Sequence, residues 1–219
     1  MKVNIGLAGL LSGFLFYNST DAQLPVAGEQ HHKVVLQNDY VRVLEGRVPA
    51  HDTTPPHLHA ANSVVVFLSH SRFGIQKTGE KPVVTDVDRG DMKYVDYGDK
   101  PVTHIVWNET APLFHFLVVE LARPHPGGAA CPTLSRPGLS FQWKQSFVQA
   151  YYLQLTDGQP CRLTGSNCAR LLIDLSGTTT AISKEGTFTR QPDGFVFFPP
   201  GNDIDIRGNN TRCILLEIR

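Results

Sequence analysis

The segment TTPPHLHAANSVVVFLS, residues 53–69, places two histidines one residue apart just before an apolar run. Consecutive valines followed by phenylalanine and leucine are typical of a β-strand, in which successive side chains point to opposite faces. His57 and His59 therefore share one face if the strand includes them. They are either a pair of metal ligands or two polar residues at the start of a strand, and the rest of the chain has to distinguish these alternatives.

Short β-branched and aromatic segments recur along the chain, among them YVRVLEGRV, FHFLVVEL, GFVFFPP and RCILLEI. Turn-forming segments such as KTGEKP, DYGDKP and PPGND separate them. Regularly spaced short strands with such turns are typical of an all-β sandwich or barrel. We predict an all-β fold with little helix, and the best helix candidate is the short segment WKQSFVQ, residues 143–149.

The two halves of the chain share one pattern. A shift of 107 residues brings YVRVLEGRV from Tyr40 onto FVQAYYLQL from Phe147. The same shift brings NSVVVFLS onto ARLLIDLS, so apolar and turn positions coincide although identities are few. A segment rich in Pro and Gly lies between the halves. We predict a first unit at 30–121, a linker at 122–144 and a second unit at 145–219.

The histidines lie in two segments that resemble the two sequence motifs of the cupin superfamily. In the first, HDTTPPHLHAANSVV, His57 and His59 occupy the positions of the motif's two histidines. In the second, GDMKYVDYGDKPVTHIVWNET, residues 90–110, His104 precedes Asn108 by four residues, as the motif requires. The resemblance implies a cupin-type barrel, a double-stranded β-helix of jelly-roll form.

The resemblance covers residues 35–121 and extends in degenerate form over 145–219. It therefore implies a bicupin, with two such barrels in one chain. By the register of the halves, Thr164 and Ser166 replace the first two histidines in the second half, and Asp205 replaces the third. The resemblance thus implies one metal centre, in the first barrel, and a second barrel that lacks the ligands.

The metal ligands implied by the resemblance are His57, His59 and His104. The glutamate of the first cupin motif would fall at Ser63 or Val64, so it is missing here. Without that carboxylate, neutral imidazoles leave a divalent metal with its full charge of about +2. The alternative is a metal-free barrel, in which the histidines hydrogen-bond to one another and to water.

Strand parity predicts the other residues around the centre. Ser63, Val65 and Phe67 share the face of the histidines in an uninterrupted strand, and Tyr94 is a further candidate for the cavity wall. Imidazole ligands suit a divalent transition metal. We expect iron if the protein is an oxygenase, with manganese, nickel, copper and zinc as alternatives.

Three-histidine centres occur among cupin-type dioxygenases, including those that act on thiols and diketones. The resemblance implies a metal-dependent oxygenase or dioxygenase that acts on a small molecule. The alternative is a non-catalytic cupin that binds a sugar or another metabolite. No carboxylate falls on the ligand face of the first motif, so an isomerase that needs a positioned acid or base is disfavoured.

Charge and the N-terminus restrict the partners and the compartment. Lys plus Arg and Asp plus Glu number 20 each, and no basic run occurs, so we expect no nucleic-acid partner. Residues 1–22 are typical of a signal peptide, with Lys2, an apolar stretch from Ile5 to Phe16 and a cleavage position after Ala22. The alternative is a membrane span, but the apolar stretch is short for one. We expect a secreted or periplasmic protein that binds a small molecule and is compatible with a homodimer.

Four cysteines suggest disulfides in an exported chain. Cys161 and Cys168 flank a short segment, RLTGSN, that can fold back between adjacent strands. We predict a bridge between Cys161 and Cys168, which leaves Cys131 with Cys213. The alternative is four reduced thiols.

Overall fold

The protein is all β. The computed structural model describes residues 23–122, 131–156 and 158–219, and its only helical element within these ranges is a 3-10 turn, Val26–Gly28. This confirms the predicted fold class. None of the described residues forms a helix long and apolar enough to cross a membrane. The predicted signal peptide, residues 1–22, lies outside the described residues.

The first barrel consists of two antiparallel sheets, in the strand orders β1-β2-β9-β4-β7 and β3-β8-β5-β6. Strands that are distant in sequence pair within each sheet, so the two sheets face each other across one interior. The strands are β1 (His32–Gln37), β2 (Val41–Val48), β3 (His57–His59), β4 (Ser63–Phe67), β5 (Ser71–Lys77), β6 (Val83–Val87), β7 (Met92–Val95), β8 (Val102–Asn108) and β9 (Phe114–Leu121).

The second barrel repeats this topology strand for strand. Its sheets have the orders β10-β11-β18-β13-β16 and β12-β17-β14-β15, which are those of the first barrel with each number raised by nine. The strands are β10 (Leu139–Lys144), β11 (Val148–Leu155), β12 (Cys161–Leu163), β13 (Ala169–Ser176), β14 (Thr179–Ser183), β15 (Gly186–Arg190), β16 (Phe195–Phe198), β17 (Ile204–Gly208) and β18 (Thr211–Ile218).

Two sequence predictions about the connection between the barrels are wrong. Residues 139–144, assigned to the linker, form β10, and residues 143–149, the helix candidate, comprise the end of β10, a turn at 145–147 and the start of β11. The two strands pair antiparallel, with Leu139 opposite Leu153. Pairing within the sheet therefore overrides the local preference of this segment.

Alternation along the strands separates the interior of each barrel from the contact between barrels. In β4, Val65 and Phe67 pack inside the first barrel, whereas Val64 and Val66 point the other way into a core that joins the two five-stranded sheets. Burial of this shared apolar core holds the barrels together. Its fully buried members include Val43, Val64, Val66 and Val119 of the first barrel and Ala150, Leu171, Ile214 and Leu216 of the second.

The disulfide prediction is also wrong. Cys131 pairs with Cys168, with the Cα atoms 6.0 Å apart, and Cys161 and Cys213 are buried free cysteines. Cys161 is the first residue of β12, and its side chain packs inside the second barrel. The strand pairing thus keeps Cys161 away from the surface, while Cys168 precedes β13 and reaches the connection between the barrels.

Candidate metal centre

Three histidines predicted as ligands meet inside the first barrel. His57 and His59 lie on the same face of β3, and His104 lies on β8 directly opposite His57. The ring centroids of the three residues are 4.7–5.1 Å apart, and all three side chains are buried. The alternation of a strand and its pairing with β8 are sufficient to produce this arrangement.

The tautomer of His57 leaves one nitrogen free for a ligand role. Its Nδ1 lies 2.8 Å from the carbonyl oxygen of Pro55, and because a carbonyl only accepts, this nitrogen carries the proton and donates. The Nε2 atom of His57 then has a free lone pair and lies 3.1 Å from Nε2 of His104. Two nitrogens that each lie about 2.1 Å from one ion and form a right angle at that ion are roughly 3.0 Å apart. The observed separation of the two Nε2 atoms is close to this value.

The surroundings of these rings fit a metal better than they fit an unoccupied cluster. The Nδ1 atoms of His59 and His104 are buried and have no hydrogen-bond partner among the described residues. Burial lowers the pKa of His59 to about 2 and that of His104 to about 3, and burial also lowers the pKa of His57. The imidazoles are therefore neutral at ordinary pH, which is the form that binds metal.

A fourth histidine, His32, lies beside the three and is not among the site residues predicted from the sequence. It is the first residue of β1, its ring centroid is 4.9 Å from that of His57, and the candidate ligand atoms of His32, His57 and His59 all lie within 4.8 Å of one another. The histidine pair at 31–32 directly before a β-branched run was the available signal.

Glu29 connects His32 to a buried polar network. Its Oε2 lies 2.5 Å from Nδ1 of His32 and its Oε1 lies 2.6 Å from Nδ1 of His31. Burial raises the pKa of Glu29, but the hydrogen bonds from His32 and His31 outweigh burial and lower this pKa to about 2. Nε2 of His31 then reaches Asp52 at 3.0 Å, so the network runs from the metal centre to a half-exposed carboxylate.

Three of the clustered histidines, His32, His59 and His104, line a cavity of about 240 Å³ inside the first barrel, and His57 does not line it. Four phenylalanines and a row of valines form most of its wall, including Val65 and Phe67, which the sequence analysis placed there. Among the described residues that line it, Lys93 is the only Lys, Arg, Asp or Glu, and Tyr97 adds a phenol. Ring centroids place Tyr97 5.9 Å from His59 and 6.5 Å from His104.

Two predicted lining residues lie elsewhere. Tyr94 packs against the core between the barrels, 6.4 Å from Trp143, because it alternates with Lys93 and Val95 on the opposite face of β7. Ser63 is fully buried but does not line the cavity, since its Oγ donates to the carbonyl oxygen of Ala61 at 3.0 Å. Its Cα partner on β9 is Glu120, at the end of the barrel beyond the cavity.

Solved structures resemble this chain across most of its length. Protein YlbA from E. coli superposes with a TM-score of 0.65 at 10% identity, covering 90% of this chain and 86% of that one. Salicylate 1,2-dioxygenase from Pseudaminobacter salicylatoxidans gives 0.64 at 12% identity, covering 89% and 78%. Protein YhaK from E. coli gives 0.58 at 13% identity, covering 90% and 98%.

A protein described as a cupin 2 conserved barrel domain protein from Leptotrichia buccalis also matches, with a TM-score of 0.57 at 8% identity over 86% of this chain and 88% of that one. The chain has the bicupin fold. This confirms the two-barrel fold that the sequence motifs imply. No protein-family model matches the sequence, and no curated protein sequence matches it.

The second barrel of this bicupin carries no counterpart of the histidine cluster among its described residues. Our alignment placed Thr164, Ser166 and Asp205 at the ligand positions, which is wrong. In the first barrel His57 pairs with His104, and the equivalent pair in the second is Cys161 with Ile206, with Leu163 in place of His59. The loop before β12 is three residues shorter than that before β3, so the 107-residue register fails at this strand.

Proposed function

We propose that this bicupin is an exported, metal-dependent oxidoreductase of the oxygenase type that acts on a small molecule in its first barrel. His57, His59 and His104 hold the metal. One observation carries the proposal: neutral, buried imidazoles without sufficient protein partners converge at the wall of an otherwise apolar cavity. Leaving such groups unsatisfied costs roughly 1–3 kcal/mol each.

The chemistry follows from the ligand set and the cavity. A redox-active divalent metal bound by imidazoles, iron first among the candidates, supplies O2 activation and polarisation of a bound oxygen atom. The structural neighbour named salicylate 1,2-dioxygenase, one of whose structures is described as an adduct with gentisate, supports this reaction class by its fold. The phenylalanine wall excludes water from the reacting atoms.

The cavity favours a substrate with an apolar body and a negative group. An apolar protein cavity of about 150 Å³ accommodates benzene, so a cavity of about 240 Å³ suits a single substituted ring. Lys93 lines it, and no carboxylate does among the described residues. The charge of a metal held by neutral imidazoles adds to that of Lys93, so an anionic group is attracted.

A non-catalytic binding protein is the second candidate. The specific observation in its favour is the same lack of a carboxylate among the described residues of the cavity wall, which leaves no carboxylate base near a bound substrate. Metal identity separates the candidates. Iron or copper with substrate-dependent O2 consumption supports the enzyme, whereas an inert metal with binding alone supports the alternative.

Export is part of the proposal. The apolar stretch near the N-terminus and the Cys131–Cys168 disulfide both support an oxidising compartment, because such bridges are rare in the cytosol. Detection of the mature protein in the periplasm or medium, with a new N-terminus near residue 23, tests this part.

The metal assignment is tested by elemental analysis of protein purified without a histidine tag or chelator. We expect about one transition metal per chain, and we expect none in the variant with His57→Ala and His104→Ala. The matched control is His70→Ala, which removes an exposed histidine that pairs with Asp88. Metal content in the double variant equal to that of the control contradicts the assignment.

The reaction class is tested on protein reloaded with ferrous iron under anaerobic conditions. O2 uptake is then followed with salicylate, gentisate and an aliphatic acid as probes. Uptake that requires both iron and an aromatic acid supports an oxygenase. Tight binding of a probe to the iron-loaded protein without O2 uptake supports the binding protein instead.

A further inference from the structure

His32 is built into the metal centre from the opposite sheet. It begins β1, pairs with Gly46 on β2, and is buried. A Cβ atom added at Gly46 would lie 2.2 Å from the ring of Phe116, so the absence of a side chain there lets that ring pack against His32 at 5.5 Å. Phe116 therefore packs against one side of the His32 imidazole.

Glu29 fixes the tautomer of His32. A carboxylate accepts, so the 2.5 Å contact with Glu29 makes Nδ1 of His32 the donor and leaves Nε2 as its free nitrogen. The side chain of Glu29 is fully buried, and its other oxygen accepts from both the backbone N–H and Nδ1 of His31, at 2.9 and 2.6 Å. The carboxylate cannot turn away without breaking these bonds.

A histidine whose second nitrogen donates to a carboxylate is the common form of a metal-ligating histidine in proteins. Among the four clustered histidines of the first barrel, His32 is the one with a carboxylate partner, and His57 donates to a carbonyl instead. The missing glutamate of the first motif leaves room for a further ligand. It also leaves the metal charge without a compensating carboxylate in direct contact.

We propose that His32 is the fourth protein ligand of the metal and that Glu29 positions it. The carboxylate that balances the metal charge then contacts His32 and not the metal itself. The inference rests on the proposed metal site at His57, His59 and His104. It adds a ligand from β1 that the cupin motifs do not contain, and it makes Glu29 a positioning residue with no contact to substrate.

The test uses protein loaded with cobalt(II), whose visible absorption reports the number and kind of ligands. Three variants are compared with the unmodified chain: His32→Leu, Glu29→Gln and the exposed control His70→Ala. Leucine is chosen because Leu139 occupies the corresponding position in the second barrel, where it pairs with Leu153 as His32 pairs with Gly46.

We expect His32→Leu to change the cobalt spectrum and to weaken cobalt binding at least tenfold. Glu29→Gln is expected to keep the ligand number and to weaken binding about 10–100-fold, the usual effect of losing such a partner. The control should retain both properties. An unchanged spectrum and affinity in His32→Leu overturn the inference while leaving the proposed metal site intact.

Failure of the proposed metal site itself has a different signature. In that case His57→Ala and His104→Ala also leave the cobalt spectrum unchanged. If His32→Leu does not fold, X-ray absorption of the unmodified cobalt protein decides the question. Four coordinated imidazoles support His32 as a ligand, and three overturn it.

Discussion

The two barrels place different side chains at the same positions of the same topology. Matching the strand pairs β1/β2 with β10/β11 and β3/β8 with β12/β17 gives four equivalences. The interior of the second barrel is apolar at each of them, and all four residues belong to or pack against its core. The equivalent pairs are His32 and Leu139, His57 and Cys161, His59 and Leu163, and His104 and Ile206.

This difference separates what makes the fold from what makes the site. Alternating apolar residues and turns produce both barrels, and the fold does not need the histidines, because the second barrel forms without them. Desolvating imidazoles costs free energy that Leu and Ile at these positions avoid. The cluster in the first barrel therefore carries a free-energy cost that a bound metal, as proposed, would offset.

A second comparison identifies a feature that is common to both barrels. At one end of the first barrel, Arg42 on β2 forms an ion pair with Glu120 on β9. At the same end of the second barrel, Arg170 on β13 forms an ion pair with Glu217 on β18. The glutamates occupy equivalent strands, whereas the arginines come from different ones. The ion pair closes both barrels, so it belongs to the scaffold and not to the metal centre.

The largest expected effect comes from giving the first barrel the interior of the second. The variant with His59→Leu and His104→Ile should lose its metal completely. Its metal-free form should gain stability, by about 1–3 kcal/mol for each buried nitrogen that no longer lacks a partner. Elemental analysis and urea unfolding of the metal-free proteins measure both effects. A metal-free variant less stable than the parent would show that the rings contribute to packing.

Acid should distinguish the barrels in the metal-free protein. The pKa values of His59 and His104 are lowered to about 2 and about 3, so below pH 6.5 the unfolded chain binds protons that the folded barrel excludes. Stability is then lost as pH falls, by about 1.4 kcal/mol per pH unit for each imidazole, or about 4 kcal/mol for both between pH 6.5 and 5.

Hydrogen exchange of individual strands measures this difference. Protection of β3 and β8 should fall with pH, while protection of the equivalent strands β12 and β17 should not follow it. Added metal should raise the protection of β3 and β8 throughout this pH range, because metal binds the folded barrel and not the unfolded chain. Equal pH dependence in the two barrels would contradict the assignment of the acid sensitivity to the histidines.

A disulfide ties the second barrel to the connection between the barrels, and it does not involve the positions equivalent to the metal ligands. The Cys131–Cys168 bridge joins residues 37 apart in sequence, and its loss through Cys131→Ser with Cys168→Ser should cost about 2–4 kcal/mol of stability. Peptide mapping without reductant should show this cross-link, with Cys161 and Cys213 alkylated only after unfolding. A cross-linked peptide containing Cys161 would contradict the structure.

The sequence was sufficient for the fold because its information is periodic. Alternation in YVRVLEGRV and in the matching FVQAYYLQL predicts both barrels, and the motif spacing predicts the meeting of His57, His59 and His104. His32 and Glu29 could not be found in this way, since they join the site through the pairing of β1 with β2 and lie outside the motifs.

A register error explains two further wrong predictions, the ligand positions of the second half and the Cys161–Cys168 bridge. Three residues fewer before β12 moved the predicted ligand positions from Cys161 and Leu163 to Thr164 and Ser166. Because Cys161 then starts a strand, its sulfur points into the barrel and cannot reach Cys168. A shift of this size leaves the overall pattern of strands recognisable, while every residue-level assignment on that strand changes.

The smallest expected effect concerns Ser63, at the position nearest to the missing motif glutamate. Its equivalent in the second barrel is Arg170, since Ser63 pairs with Glu120 as Arg170 pairs with Glu217. Ser63→Glu would place a second buried carboxylate opposite Glu120, and we expect a loss of roughly 2 kcal/mol of stability, because neither carboxylate is fully compensated. Metal affinity should not rise, since Ser63 does not line the cavity.

Ser63→Ala is the matched control and removes only the hydrogen bond to Ala61. Urea unfolding together with cobalt titration measures both properties. Tighter cobalt binding in Ser63→Glu would mean that the side chain at this position reaches the metal. It would also mean that the ion pairs Arg42–Glu120 and Arg170–Glu217 are less alike than the strand pairing of the two barrels indicates.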